Sequence, residues 1–105
     1  MHVSVYITAK DIKQARTIAQ QLLKERLIAC ANIIPRIEAL YWWKGEIRNE
    51  GEAAIIGKTN KENEQKIIKR VKELHSYGVP CIVFWPIENG NKDFLEWINS
   101  ELRSA

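Results

Sequence analysis

Between Ala29 and Arg48 the chain runs for twenty residues without helical periodicity, interrupted by Pro35 and closed by the turn pair Lys44-Gly45. The stretch reads as a strand, the second of the chain. Extended at ~3.3 Å per residue it would measure ~65 Å, several times the ~17–20 Å of an ordinary strand. It must therefore bend at Pro35 or overhang its own sheet. Either way it carries more strand than one small sheet can cover.

The flanking segments supply that sheet. Val3, Val5 and Ile7 alternate with Ser4, Tyr6 and Thr8, which predicts a first strand over Val3 to Thr8. Asp11 is placed to cap a helix, with Gln14 three residues on as its reciprocal partner, and Ile12, Ala15, Ile18, Ala19, Leu22 and Leu23 form one apolar stripe ending near Glu25 or Arg26. A third strand is expected over Ala53 to Thr59. Thr59-x-x-Glu62 reads as the capping box of a second helix carrying Ile67, Ile68, Val71 and Leu74, which Ser76-Tyr77-Gly78 breaks. The run from Pro80 to Ile87 predicts an edge strand bracketed by prolines, and Phe94, Leu95, Trp97 and Ile98 mark a short terminal helix.

This order, β-α-β-β-α-β plus a C-terminal helix, predicts an α+β domain of the ferredoxin-like split βαβ type over residues 1–105, with an antiparallel sheet. That topology leaves strands two and four at opposite edges. Strand four, Cys81-Ile82-Val83-Phe84-Trp85, carries no charge, and strand two offers Tyr41-Trp42-Trp43. Bare apolar edges invite pairing, and a closed ring of subunits joined edge to edge would satisfy both. Tyr41, Trp42, Trp43, Phe84 and Trp85 are accordingly read as interface residues in preference to a ligand platform.

Composition narrows the chemistry. Sixteen Lys and Arg against thirteen Asp and Glu give a formal charge of +3, evenly mixed along the chain, which suits a solvated surface and predicts no nucleic-acid partner. No apolar run approaches the ~20 residues of a membrane span, and no basic segment followed by an apolar stretch opens the chain, so a cytoplasmic location is expected. The first and third strands lack the stacking aromatics of an RNA-recognition domain. Thr8-Ala9-Lys10-Asp11 stands where a metallochaperone of this topology needs C-x-x-C. Phosphate loops, dinucleotide fingerprints and nucleophile elbows are absent, so no enzyme is predicted.

Three residues remain as candidate soft-metal ligands: His75, Cys30 and Cys81. His75 also reads as a cation at the end of the second helix, and each cysteine as a small buried hydrophobe. The basic run Lys66, Lys69, Arg70, Lys72 is paired by Glu62 and Glu73 at helical spacing and reads as a solvated face.

Several segments together are familiar: Leu27-Ile28-Ala29-Cys30-Ala31-Asn32, Tyr41-Trp42-Trp43-Lys44-Gly45-Glu46-Ile47, Lys58-Thr59, His75-Ser76-Tyr77-Gly78-Val79-Pro80, and Pro86-Ile87 with Gly90, Leu95 and Trp97-Ile98. In order and spacing they resemble the CutA-type divalent-cation tolerance family over nearly the whole chain. The resemblance implies an intertwined homotrimer, a cytoplasmic location and a non-catalytic role in tolerance to divalent metals, notably copper. It also implies a copper site at positions matching Ile7 and Leu74-His75, of which His75 alone is a ligand type here. Cys30 matches the family's usual strand-two cysteine, Cys81 stands where many members have glutamate, and Gly78 replaces a polar residue. Two other occupations stay open: a ligand-sensing trimer of the nitrogen-regulatory PII type, and a purely structural, partner-binding trimer.

Overall fold

In β1 (His2–Ala9) every second side chain from Val3 onward is buried, and this strand lies at the centre of the molecule. The computed structural model describes residues 1–103. After β1 come α1 (Ile12–Lys24), β2 (Cys30–Trp43), β3 (Glu46–Asn60), a single 3₁₀ turn (61–63), α2 (Glu64–Leu74), β4 (Ile82–Pro86) and α3 (Lys92–Arg103). The sheet order is β2-β3-β1-β4, with every neighbouring pair antiparallel. This is the expected α+β, ferredoxin-like arrangement, with β2 and β4 at the edges.

One face of the sheet is dry. Val5, Ile7 and Ala9 from β1 and Ala53 and Ile55 from β3 pack against Ala15, Ile18, Ala19 and Leu22 of α1 and Ile67 and Val71 of α2. Asp11 caps α1 as its sequence suggests, accepting from the Gln14 N–H at 2.8 Å. Gln14 Oε1 reaches back one residue further than a regular capping box, to the Lys10 N–H at 2.9 Å. The expected Thr59-Glu62 box does not form. Thr59 pairs with Val3 on the core side of β3, so its hydroxyl is fully buried and donates to the Leu27 carbonyl at 2.7 Å, while α2 begins later through the 3₁₀ turn. Arg70 leaves the solvated face of α2 to bond Glu25, the residue that caps the end of α1, at 2.8 Å.

The other differences lie in the long stretch. It is not one strand to Arg48: β2 ends at Trp43, Lys44 and Gly45 turn with φ of 50° and 79°, and β3 starts at Glu46, seven residues ahead of the expected Ala53. Two successive positive φ values are the signature of the tight turn that matches strand twist. It brings the polar run from Arg48 to Glu52 into register with β2, although that run has no strand-like pattern of its own. The hairpin overhangs the sheet and stretches the molecule to 44 × 26 × 23 Å.

The expected bend at Pro35 takes the form of a bulge. Ile34 faces Ala54 and Ile37 faces Glu52, so Pro35 and Arg36 together oppose the single residue Ala53. Proline has no N–H to give the ladder, and a bulge is where such a residue fits. The extra residue exchanges the two faces of β2. Beyond it Ile37, Ala39, Tyr41 and Trp43 share a face with Glu52, Glu50, Arg48 and Glu46, and Leu40, Trp42 and Ile47 turn to the other side.

Gly57 sits where β3 crosses the core, and a Cβ there would lie 2.9 Å from Val5 Cγ1 and 3.4 Å from Ile28 Cγ2. Gly57→Ala is therefore expected to cost about 1–3 kcal/mol through overpacking. Gly78→Ala, whose Cβ meets nothing within 4 Å, should stay within about 0.5 kcal/mol of wild type. Urea unfolding at one fixed protein concentration checks the pair, and equal losses would refute the packing argument.

Candidate functional site

The sheet face away from the helices carries Tyr6 and Thr8, and the overhanging hairpin and the 77–81 segment wall it in. The result is a cavity of about 680 Å³ lined by Tyr6, Thr8, Tyr41, Trp43, Arg48, Glu50, Glu52, Tyr77 and Cys81, among others. Its position follows from the bulge, which aims Tyr41 and Trp43 inward. It follows equally from the alternation of β3, which puts Glu50 and Glu52 on the same side.

The 77–81 wall is held by a chain of hydrogen bonds. His75 ends α2; its Nδ1 accepts from the Tyr77 backbone N–H at 3.0 Å, so Nε2 is left to donate to the Thr8 carbonyl, at 2.7 Å. The His75 and Tyr77 rings lie 4.7 Å apart, and the Tyr77 hydroxyl donates to Glu52 Oε2 at 2.9 Å. Glu52 is 8 % exposed, the one charged side chain among the buried residues of the described chain. Ser76 Oγ accepts from Gln14 Nε2 at 2.9 Å, which fastens the segment to α1 as well.

The electrostatics are acidic. Burial pushes the Tyr77 phenol well above its ordinary value, and the hydrogen bond and negative charge of Glu52 push it further, with Tyr41 and Glu50 adding to the effect. Tyr41 is raised too, first by desolvation and then by the charge and hydrogen bond of Glu50. Both phenols thus remain protonated donors in a negative field.

The residues singled out from the sequence are dispersed. His75 is a strut, with both ring nitrogens engaged. Cys81 is exposed at the cavity rim, its carbonyl accepting from the Thr8 N–H at 3.4 Å, while Cys30 is half-buried on the opposite edge of the sheet and pairs with Lys58. Three strand spacings and four residues of rise separate the cysteines, about 20 Å. Among the described residues no three His, Cys, Asp or Glu side chains gather as a metal-holding group. Within one chain, His75, Cys30 and Cys81 therefore do not share a site. Tyr41, Trp42 and Trp43 all border the cavity, Trp42 remaining 71 % exposed; Trp85 tilts against Tyr6 at 5.6 Å, and Phe84 packs on the core. Sequence reasoning missed Glu50, Glu52 and Tyr77. The available signal was the Glu50-x-Glu52 spacing, which in a strand puts both carboxylates on one face.

Comparison with known proteins decides the family. Residues 3–101 match the family model described as CutA1 divalent ion tolerance protein. The chain belongs to that family. It is 46 % identical over 99 residues to the divalent-cation tolerance protein CutA of Archaeoglobus fulgidus, covering 94 % of this chain and 96 % of that one. With the protein of the same name from Thermus thermophilus it shares 43 % over 98 residues, 93 % of this chain and 95 % of the other. The solved Archaeoglobus structure, described as a periplasmic divalent cation tolerance protein, superposes with a TM-score of 0.95 at 43 % identity, covering 98 % of this chain and 100 % of that one. Rice CutA1 superposes at 0.94 with 34 % identity, covering 99 % and 95 %. The expected resemblance and fold are thereby borne out.

Because the folded state holds the Tyr77 proton more tightly than the unfolded chain, that group's contribution to stability is full below the phenol's ordinary value of 10.0 and declines as pH rises beyond it. Melting temperatures taken from pH 8 to 11.5 should fall more steeply for wild type than for Tyr77→Phe. Parallel curves would contradict the buried Tyr77–Glu52 contact.

Proposed function

We propose that this protein is a non-catalytic homotrimer serving divalent-cation tolerance, with copper the ion of first interest, in the cytoplasm. The observation that carries the role is the match to the CutA1 family over residues 3–101, with the fold agreeing along the whole length. The trimer rests on surface that one chain leaves uncovered. Leu40, Trp42 and Ile47 are 65 %, 71 % and 65 % exposed on the hairpin, and β4 offers an uncharged edge with Val83 and Trp85 open to solvent. Strands β2 and β4 run antiparallel, so head-to-tail joining of these edges extends the sheet from subunit to subunit and closes as a ring.

Copper then meets scattered donors. Cys30 lies level with Ser4 and Cys81 level with Thr8, so edge-to-edge joining does not bring the thiols together unless β4 slides off the overhang. Of Cys30, His75 and Cys81, the exposed Cys81 is the thiol that a soft ion reaches. Weak sequestration or signalling follows, not catalysis. Two unpaired thiols, one of them exposed, suit a reducing compartment. The PII-like reading is disfavoured, because Glu50 and Glu52 face the cavity against Arg48 alone, an arrangement that repels phosphate.

Sedimentation of the full chain should give three times 12.2 kDa, and Val83→Lys on the β4 edge should dissociate it. Calorimetric titration of the reduced protein with copper should give a weak heat that Cys81→Ser abolishes and Cys30→Ser spares. A monomer at micromolar concentration would overturn the trimer, and copper heats indifferent to Cys81→Ser would overturn the copper reading.

A further inference from the structure

Asn89-Gly90 is a reactive pair that the metal-tolerance role does not use. Of the chain's seven asparagines, Asn89 alone is followed by glycine. The pair lies in the irregular turn from 87 to 91 between β4 and α3, with both residues exposed. Each end of the turn is tied down. The Ile87 N–H donates to the His2 carbonyl at 2.9 Å, and Asn91 accepts twice at the start of α3, through Oδ1 from the Asp93 N–H and through its carbonyl from the Leu95 N–H, both at 3.0 Å. Between these anchors, among the described residues, neither the Asn89 carboxamide nor the Gly90 N–H has a hydrogen-bond partner. The pair also lies past Pro86, where the β4 edge offered to a neighbouring subunit ends.

An asparagine carboxamide and the backbone nitrogen that follows it are held within reach of one another by the chain itself. A side chain on the second residue, a hydrogen bond on either group, or a helical or extended backbone keeps them from reacting. Glycine brings no side chain into the approach and has the widest choice of backbone angles for it. We infer that Asn89 is a site of spontaneous deamidation. The Gly90 nitrogen gives its proton to solvent base and attacks Asn89 Cγ; the new N–C bond closes a cyclic imide as the carboxamide C–N bond breaks, and the departing nitrogen takes up a proton and leaves as ammonia. Water then adds to one of the two imide carbonyls and reopens the ring, giving aspartate or a β-linked aspartate that carries the main chain through its side chain. One water is consumed, one ammonia is released, and no oxidant or reductant takes part. Each event takes one unit from the +3 formal charge of the chain. Asn91 and Asn49 lack these conditions: Asn91 Oδ1 is engaged and Lys92 follows it, and Asn49 stands in β3 with its Nδ2 donating to Glu38 Oε2 at 3.2 Å. Neither the family role nor the trimer depends on this conversion.

The test is peptide-mapping mass spectrometry of the full chain held in mildly alkaline buffer, alongside the same chain held in urea. Asn89 is expected to convert ahead of every other asparagine, with the β-linked product in the majority and a rate that rises with pH. The folded rate should stay within tenfold of the rate in urea. Gly90→Ala is the control that keeps the fold, because Gly90 has no positive φ and an added Cβ meets nothing closer than Leu95 Cδ2 at 3.5 Å. It should slow conversion tenfold or more, with melting curves and sedimentation close to wild type. Another asparagine converting first, an Asn89 that persists in the folded protein while the urea sample converts, or a wild-type rate in Gly90→Ala would overturn the inference.

Discussion

A single inserted residue at Pro35-Arg36 governs how this molecule presents itself. In a strand, side chains alternate between faces with a strict period of two, so one extra residue inverts everything beyond it. With the insertion, Tyr41 and Trp43 join Glu50 and Glu52 over the cavity, and Leu40, Trp42 and Ile47 form the outer face of the hairpin. Were the same residues paired one to one with β3 instead, the aromatic residues would change places. Arg36 also lies across Gly51, whose missing side chain leaves room for the guanidinium: a Cβ there would sit 2.7 Å from Arg36 Nη1. The bulge, the glycine and the overhang form one unit.

Around that unit the fold uses buried polar groups as fasteners. The Thr59 hydroxyl ties the end of β3 to the connection following α1 through the Leu27 carbonyl, and the His75 ring ties the end of α2 to β1 through the Thr8 carbonyl. Each satisfies a backbone oxygen that regular secondary structure leaves over, and an unsatisfied one would cost about 1–3 kcal/mol. His75 illustrates how a residue with the chemistry of a ligand serves as structure: Nδ1 closes the 75–77 turn, Nε2 anchors it to Thr8 of β1, and the turn delivers Tyr77 to Glu52.

Much of this was legible beforehand, for definite reasons. The period-two pattern of Val3 to Thr8 and the apolar stripe from Ile12 to Leu22 are local signals, and both elements stand where they are expected. The edge positions of β2 and β4 follow from the connectivity. Thr59 misleads because a threonine followed three residues later by glutamate fits a cap equally well when its hydroxyl is needed in the core. The segment from Glu46 to Glu52 is strand only because Lys44-Gly45 folds it onto β2, so its structure is borrowed from a partner strand. The Tyr77–Glu52 contact joins positions 25 residues apart, which no local pattern announces. Pro35 marks where the chain departs from regularity, but whether proline bends a strand or adds a residue to it is decided by the pairing.

The crystal structure of the chain with Arg36 deleted tests the role of that inserted residue most directly. With the extra residue gone, Pro35 alone should oppose Ala53, pairing should run unbroken from Ile34 to Trp43, and Tyr41 and Trp43 should keep their places opposite Arg48 and Glu46. If Leu40 and Trp42 instead take those places, the bulge is not what absorbs the extra residue of β2, and the architecture proposed for the site is wrong.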